Sequence, residues 1–168
     1  MKSPARNLID TAIGIYLDLS EQIGPPEEGR EADSQKVILL SLVRGTRGYI
    51  EKVSNQINGA YENGWYDACA VMIRRLIETL IIEAYECHGI SSKIKNSTGD
   101  FFYLRDLIDK MLQETSWNLG RNAKSALPKL KDIGDKSAHS RRYIAQRGDI
   151  QPLLADIRVH SKSLARIA

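Results

Sequence analysis

The 168-residue sequence is short of the residues that mark a stapled scaffold, a metalloprotein or a membrane protein. It holds two cysteines and three histidines, and its aromatics are 7%. Cys69 and Cys87 lie 18 residues apart in one predicted helix, roughly 27 Å along its axis, too far to bridge each other there. No paired Cys/His spacing suggests zinc. Both cysteines read as buried small apolar residues. No apolar run approaches the ~20 residues of a spanning helix. The opening "MKSPARNLIDTAIGIYLDL" is not a signal peptide, because Asp10 interrupts its apolar part and no small-residue cleavage pattern follows. These absences lead to the expectation of a cytoplasmic protein with no membrane partner. A glycine-rich phosphate loop and a nucleophile elbow are also missing. Neither Cys nor Ser stands beside a His with an orienting acid, and no carboxylates cluster at metal-ligand spacing. No cofactor and no metal are expected.

What is present is ordinary globular material, with 42% hydrophobic and 27% charged residues in a length that suits one core. The apolar pattern is helical from end to end, and strand alternation is hard to find. A first helix is expected over about Pro4 to Ile23, and "GPPEEGREADS" from Gly24 to Ser34 is a loop. A second helix runs from about Ser34 to Ala60, weakened by Gly45 and Gly48, with Leu39, Leu42, Val43, Ile50, Val53 and Ile57 as its apolar face. "YENGWYD" is the turn. The third helix, about Trp65 to His88, is the most apolar. Cys69, Ile73, Leu76, Ile77, Leu80 and Ala84 share one face. Arg75, Thr79, Glu83 and Glu86 take the wet side, and Asp67, Arg74 and Glu78 form a separate polar strip. Arg74 and Glu78, four apart, can pair. A fourth helix spans Phe101 to about Gln113. A fifth segment, about Leu119 to Ser140, should be split or kinked by Pro128, with Gly134 a further weak point. Asp149 is expected to cap a last helix from Ile150 to about Arg166, whose outer stripe is Arg158, Lys162 and Arg166.

The fold class expected is therefore all-α, an antiparallel bundle of about five to six helices. Residues 1–33 form an N-terminal helix and linker loop packing on the bundle, and residues 34–168 form the main helical domain.

The net charge is only +3, but it is unevenly placed. Met1 to Ala84 carries −3 and Tyr85 to Ala168 carries +6; from Arg121 onward 11 basic residues face 4 acidic ones. A basic region of this kind can attract phosphates by releasing counterions. Of the histidines, His88 falls at a helix C-terminus, where the dipole favours positive charge, and His160 falls near the core stripe of the last helix. His139, in "LKDIGDKSAHSRRY", is different. Small neighbours allow close approach, Asp135 lies one turn back, and Lys136, Arg141 and Arg142 flank it. Imidazole can carry a proton near neutral pH, and arginine can hold phosphate.

"GWYDACAVMIRRLIETLIIEAY", followed by "LKDIGDKSAHSRR" and a last amphipathic helix, resembles the HEPN superfamily. The nearest likeness is to its DUF4145-type and abortive-infection-type helical domains. The residues that carry the resemblance are Arg75, Leu76 and Glu78, then Gly134, Asp135 and His139, and it covers roughly Ile57 to Ala168. It implies a helical bundle that often dimerises. In the ribonuclease members it implies a composite, metal-independent RNA-cleaving site with an arginine shortly before the histidine. His139 takes the histidine position. The positions five to seven residues earlier are Gly134, Ile133 and Asp132, none of them basic, and Asp135 stands where many members carry Asn.

Three readings follow. The first is a non-catalytic HEPN-like homodimer that binds RNA or an operon-encoded protein partner in prokaryotic or phage defence or a toxin–antitoxin system. In it Lys136, Arg141, Arg142, Arg158 and Lys162 are binding residues, and Arg74, Arg75, Glu78 and Asp135 form a polar groove. The second is a metal-independent ribonuclease using His139 with Arg141 or Arg142. The third is a plain helical dimerisation or scaffold module.

Overall fold

In a computed structural model, Thr11, Ile13, residues 36–117, Leu119 and residues 122–167 are described, apart from the side chains of 163, 166 and 167. The expected first helix and the loop after it lie outside the described residues, except for helical Thr11 and Ile13. Five helices carry the fold: α1 (Gly48–Glu62), α2 (Tyr66–Cys87), α3 (Leu104–Gln113), α4 (Ala123–His139) and α5 (Leu154–Ile167). Short helical turns lie at Leu40–Leu42, Ser91–Ile94, Arg147–Ile150 and Gln151–Leu153. The fold is all-α: no strand is present among the described residues, and one isolated bridge pairs Lys95 with Phe101.

The apolar spacing of α2 explains its place. Cys69, Ala70, Ile73, Leu76, Ile77, Leu80, Ile81, Ala84 and Tyr85 are all buried. They cover more of the helix than one face, so α2 can only be satisfied by neighbours on several sides. It packs against α1, α3, α4 and α5. Removing one such side chain, as in Leu76→Ala, costs about 2–5 kcal/mol.

The second helix begins fourteen residues later than its apolar pattern suggested. Gly45 has φ +84°, a conformation glycine adopts without penalty. There the backbone turns, with the Thr46 hydroxyl donating to the Val43 carbonyl at 2.5 Å and the Gly45 N–H donating to Glu51 Oε1 at 3.1 Å. Upstream, Val37 and Ile38 are fully buried without being in a helix. Buried backbone groups need partners, and Asn58 of α1 supplies those of Ile38: Ile38 N–H donates to Asn58 Oδ1, and Asn58 Nδ2 donates to the Ile38 carbonyl, both at 2.9 Å. Leu39, expected on the core face, is exposed instead.

Four further expectations are corrected. Pro128 does not split α4, which runs unbroken through it. Pro128 sits in the second turn on the exposed side, and the carbonyl it leaves unbonded belongs to exposed Lys124, where water can satisfy it. Asp149 does not cap the last helix. It reaches back one turn to accept the Gln146 N–H at 2.9 Å in a capping box, and α5 starts only after Pro152. Cys87, at the end of α2, is exposed, whereas Cys69 is buried. Glu83 is buried, not wet. Arg47 reaches its carboxylate at 2.8 Å and the Tyr49 hydroxyl donates to it; burial raises its pKa.

The end of α2 and the turn after it are joined to the segment after α3 by an aromatic pair and polar groups. Tyr85 and Trp117 meet edge-on at 5.0 Å, and the His88 ring lies 4.9 Å from Trp117. Lys93 bonds Glu114 at 2.7 Å. That hydrogen bond, with others from Ser116, lowers the Glu114 pKa from 4.5 to about 2.

Two outcomes follow. Asn58→Ala orphans two buried backbone groups, so stability should fall by about 2–4 kcal/mol, measured as a shift of the urea midpoint. Glu114 has a folded pKa below its unfolded one. Its contribution is therefore complete above about pH 4.5 and disappears as pH falls toward about 2. The stability gap between the protein and Glu114→Gln should hold near neutrality, narrow as pH falls below about 4.5 and be nearly closed by about pH 2; a gap undiminished at about pH 2.5 contradicts this assignment.

Candidate basic site at the end of α4

The site begins at Gly134. A Cβ there would lie 2.5 Å from the Arg74 Cβ and 3.0 Å from the Ala70 carbonyl. Neither atom is the loose end of a side chain, so only glycine lets α4 come this close to α2. The apparent weak point of the helix is its contact point. Across this contact Arg74 Nε donates to Asp135 Oδ1 at 2.6 Å, and the same guanidinium lies 3.6 Å from Glu78. Lys131 donates to the other Asp135 oxygen at 2.5 Å. Burial opposes ionisation of Asp135, but the hydrogen bonds and charges of Lys131 and Arg74 outweigh it and hold its carboxyl below the usual range.

Thus Arg74, Glu78 and Asp135 are brought together as one network. Arg75 is not part of it; it is exposed and lines a different hollow with Trp65 and Met72. Asp135 stands one turn before His139 but faces Arg74 and Lys131.

Five residues past Gly134, α4 ends at exposed His139. Lys136 and His139 occupy the last turn, where the helix dipole favours positive charge. The chain then leaves the helix in a loop fixed at several points. The Ser140 N–H donates to the Lys136 carbonyl at 2.9 Å and the Tyr143 N–H donates to Ser140 Oγ at 3.2 Å. The Ala145 N–H donates to Asp67 Oδ1 of α2 at 3.0 Å. Burial, then a hydrogen bond to Asp149, pushes the Tyr143 phenol up to about 12. The loop is therefore a held surface, and Arg141, Arg142 and Ile144 stand exposed on it, Ile144 at 66%.

No Asp or Glu occurs from Ser137 to Gly148, a run that includes His139, Arg141, Arg142 and Arg147. Lys136, Arg141 and Arg142 have no ion-pair partner among the described residues. Beside the loop lies a shallow hollow of about 230 Å³, whose lining includes Lys129, Lys136, Tyr143 and Asp149. The other expected binding residues are placed differently. Lys162 is exposed on α5, while Arg158 donates to the Lys36 carbonyl at 2.6 Å and is half-buried. His160 is buried, and burial lowers its pKa.

Chemically, the arrangement offers cations and an imidazole on a fixed edge. No carboxylate is described as orienting His139, and of the two α2 arginines one is closed in ion pairs and the other serves a different surface. Such an edge can hold phosphate groups. The loop anchors carry no local sequence signal. The spacing puts Asp67 in a polar strip, but its partner is a backbone N–H 78 residues away.

The chain matches no protein-family model, no curated protein and no solved structure.

Gly134→Ala should gain up to ~1 kcal/mol of helix propensity yet lose more to the forced separation of α2 and α4. A net loss of about 1–3 kcal/mol is expected, read by chemical denaturation. An unchanged or raised midpoint would contradict the close approach.

Proposed function

We propose that this chain is a non-catalytic helical module that binds RNA through the edge formed by Lys136, His139, Arg141 and Arg142. The observation that carries this reading is the carboxylate-free run after Lys136, displayed on an anchored loop while the nearby ion pairs of Arg74 and Lys131 are closed among themselves. Cations without partners lose no internal ion pair when they meet phosphate, and the release of counterions drives the association. A fixed loop also loses little conformational entropy on binding. The HEPN resemblance selects RNA from among phosphate polymers. A homodimer in the cytoplasm, acting in prokaryotic or phage defence or a toxin–antitoxin system, belongs to the same reading.

The absence of catalysis rests on the chemistry of cleavage. Transfer at a phosphodiester needs positive charge placed on the phosphate oxygens as well as a base. Here Arg74, the arginine facing α4, is bound to Asp135 and so is withheld from a phosphate at His139.

Fluorescence anisotropy with a labelled single-stranded RNA tests the reading. Affinity should fall steeply with salt, with a log–log slope near −0.7 per phosphate contacted, so about −2 to −3 for three or four contacts. Arg141→Glu/Arg142→Glu should weaken binding at least about tenfold and flatten that slope, with helicity unchanged by circular dichroism. Salt-insensitive binding, or binding unaffected by the double change, overturns the proposal. RNA cleavage in EDTA that disappears in His139→Ala would establish the ribonuclease reading instead.

A further inference from the structure

A second surface lies on α1 and α2, lined by other residues. The two helices are joined by three residues and pack along each other. The joining turn uses Gly64 at φ +71°, and the Trp65 N–H donates to the Ala60 carbonyl at 2.8 Å. The backbone of Trp65 is thus fixed by the turn, but its side chain is 51% exposed. Nothing in the turn requires an indole there. From Trp65 a hollow of about 520 Å³ runs between the helices, lined by the small residues Gly59, Ala60 and Ala68 and by Met72, with Arg75 and the uncharged amides of Gln56 and Asn63 also in its lining.

The lining contains no carboxylate, and Arg75 has no ion pair among the described residues. Because α1 and α2 run antiparallel, exposed Lys52 stands at about the level of Arg75, and it too lacks an ion pair among the described residues. One end of the hollow is therefore aromatic and apolar and the other is cationic. Ten residues of helix separate Trp65 from Arg75, roughly 15 Å. That distance is spanned by four or five residues of extended peptide. Trp and Arg are also the side chains that most often carry binding energy at protein interfaces.

We propose that this hollow docks an acidic, amphipathic peptide segment of a protein partner. A bulky apolar side chain of that segment rests on Trp65 and Met72, and its carboxylates meet Arg75 and Lys52. Charge complementarity decides the occupant. A second copy laid on the same face would bring cations of one sign with no carboxylate in either lining to meet them, whereas an acidic segment neutralises both.

The test is selection of random twelve-residue peptides displayed on phage against the full chain, with Trp65→Ala and Arg75→Glu as parallel baits. Both positions are exposed, so folding should be preserved, and circular dichroism and the urea midpoint check it. Peptides that combine an apolar anchor with two or more carboxylates should be enriched on the wild type and lost on either variant. A synthetic copy should bind at least tenfold more weakly to Arg75→Glu, with partial recovery in Arg75→Lys, and should blue-shift Trp65 emission in a Trp117→Phe background. Enrichment of basic or uncharged peptides, enrichment indifferent to both substitutions, or no enrichment overturns the proposal. So does a dimer by light scattering that Trp65→Ala dissolves, which would assign the hollow to a second copy. Arg75→Glu should leave RNA binding unchanged, so failure here and failure of the RNA reading are separate results.

Discussion

The arrangement depends on one close contact, the approach of α4 to α2 at Gly134. With no Cβ in the way, the α4 backbone meets the Ala70 carbonyl and the Arg74 stem directly. The Arg74 guanidinium is then within reach of Asp135, the next residue, and Lys131 closes the other carboxylate oxygen from one turn earlier. Half-buried pairs of this kind contribute modestly to stability, because desolvation offsets much of the attraction. Their effect here is register. Shifting α4 by one residue along α2 would place a side chain in the contact and remove Asp135 from Arg74. With register fixed, the place where α4 ends is fixed, and so is the loop after His139, which Asp67 of α2 holds again at Ala145.

The cations divide into groups committed within the fold and groups left free of it. Arg74 and Lys131 belong to Asp135, Arg47 to Glu83, Lys93 to Glu114 and Arg158 to the Lys36 carbonyl. Each joins segments distant in sequence or fixes a helix turn. Lys136, Arg141 and Arg142 hold nothing together, and no acidic residue follows Lys136 before Asp149. A net charge of +3 conceals this separation. The field presented to a partner comes from the uncommitted groups, and three of these stand close together at the end of α4 with no carboxylate between them.

Periodicity read well where burial alone sets structure. The α2 stripe from Cys69 to Ala84 is buried as its spacing predicts, as are Ile50, Val53 and Ile57 of α1. It failed where a polar group finds a partner from elsewhere in the chain. Glu83 lies on the polar side of the α2 wheel, yet Arg47, just before α1, and Tyr49, in its first turn, cover it. Val37 and Ile38 look helical by hydrophobicity, but both backbone groups of Ile38 pair with Asn58, a partner no local pattern announces. Gly45 and Gly134 were both legible as weak helix formers. One is a break at positive φ and the other a contact point, and only the neighbouring backbone distinguishes them. At the candidate site, the basic run and His139 were readable, as was the Arg74–Glu78 pair. The claim of Asp135 on Arg74 was not, because it spans 61 residues.

The same division separates the two surfaces. Asp67 and Arg74, both on α2, face the α4 side and its loop, while Trp65, Met72 and Arg75 line the hollow shared with α1. Adjacent residues on a helix point about 100° apart, so Arg74 and Arg75 are neighbours in sequence with opposite duties. Arg74 is tied to Asp135 and stabilises register; Arg75 is exposed and available. A ligand at either surface would meet side chains carried by elements tied to the same many-sided helix. Coupling between them would need α2 to adopt a second arrangement. The tight contact at Gly134 opposes one, since α4 cannot slide along α2 without meeting the Arg74 stem. The two surfaces should therefore act as independent contacts on one scaffold, with α2 positioning both and transmitting nothing between them.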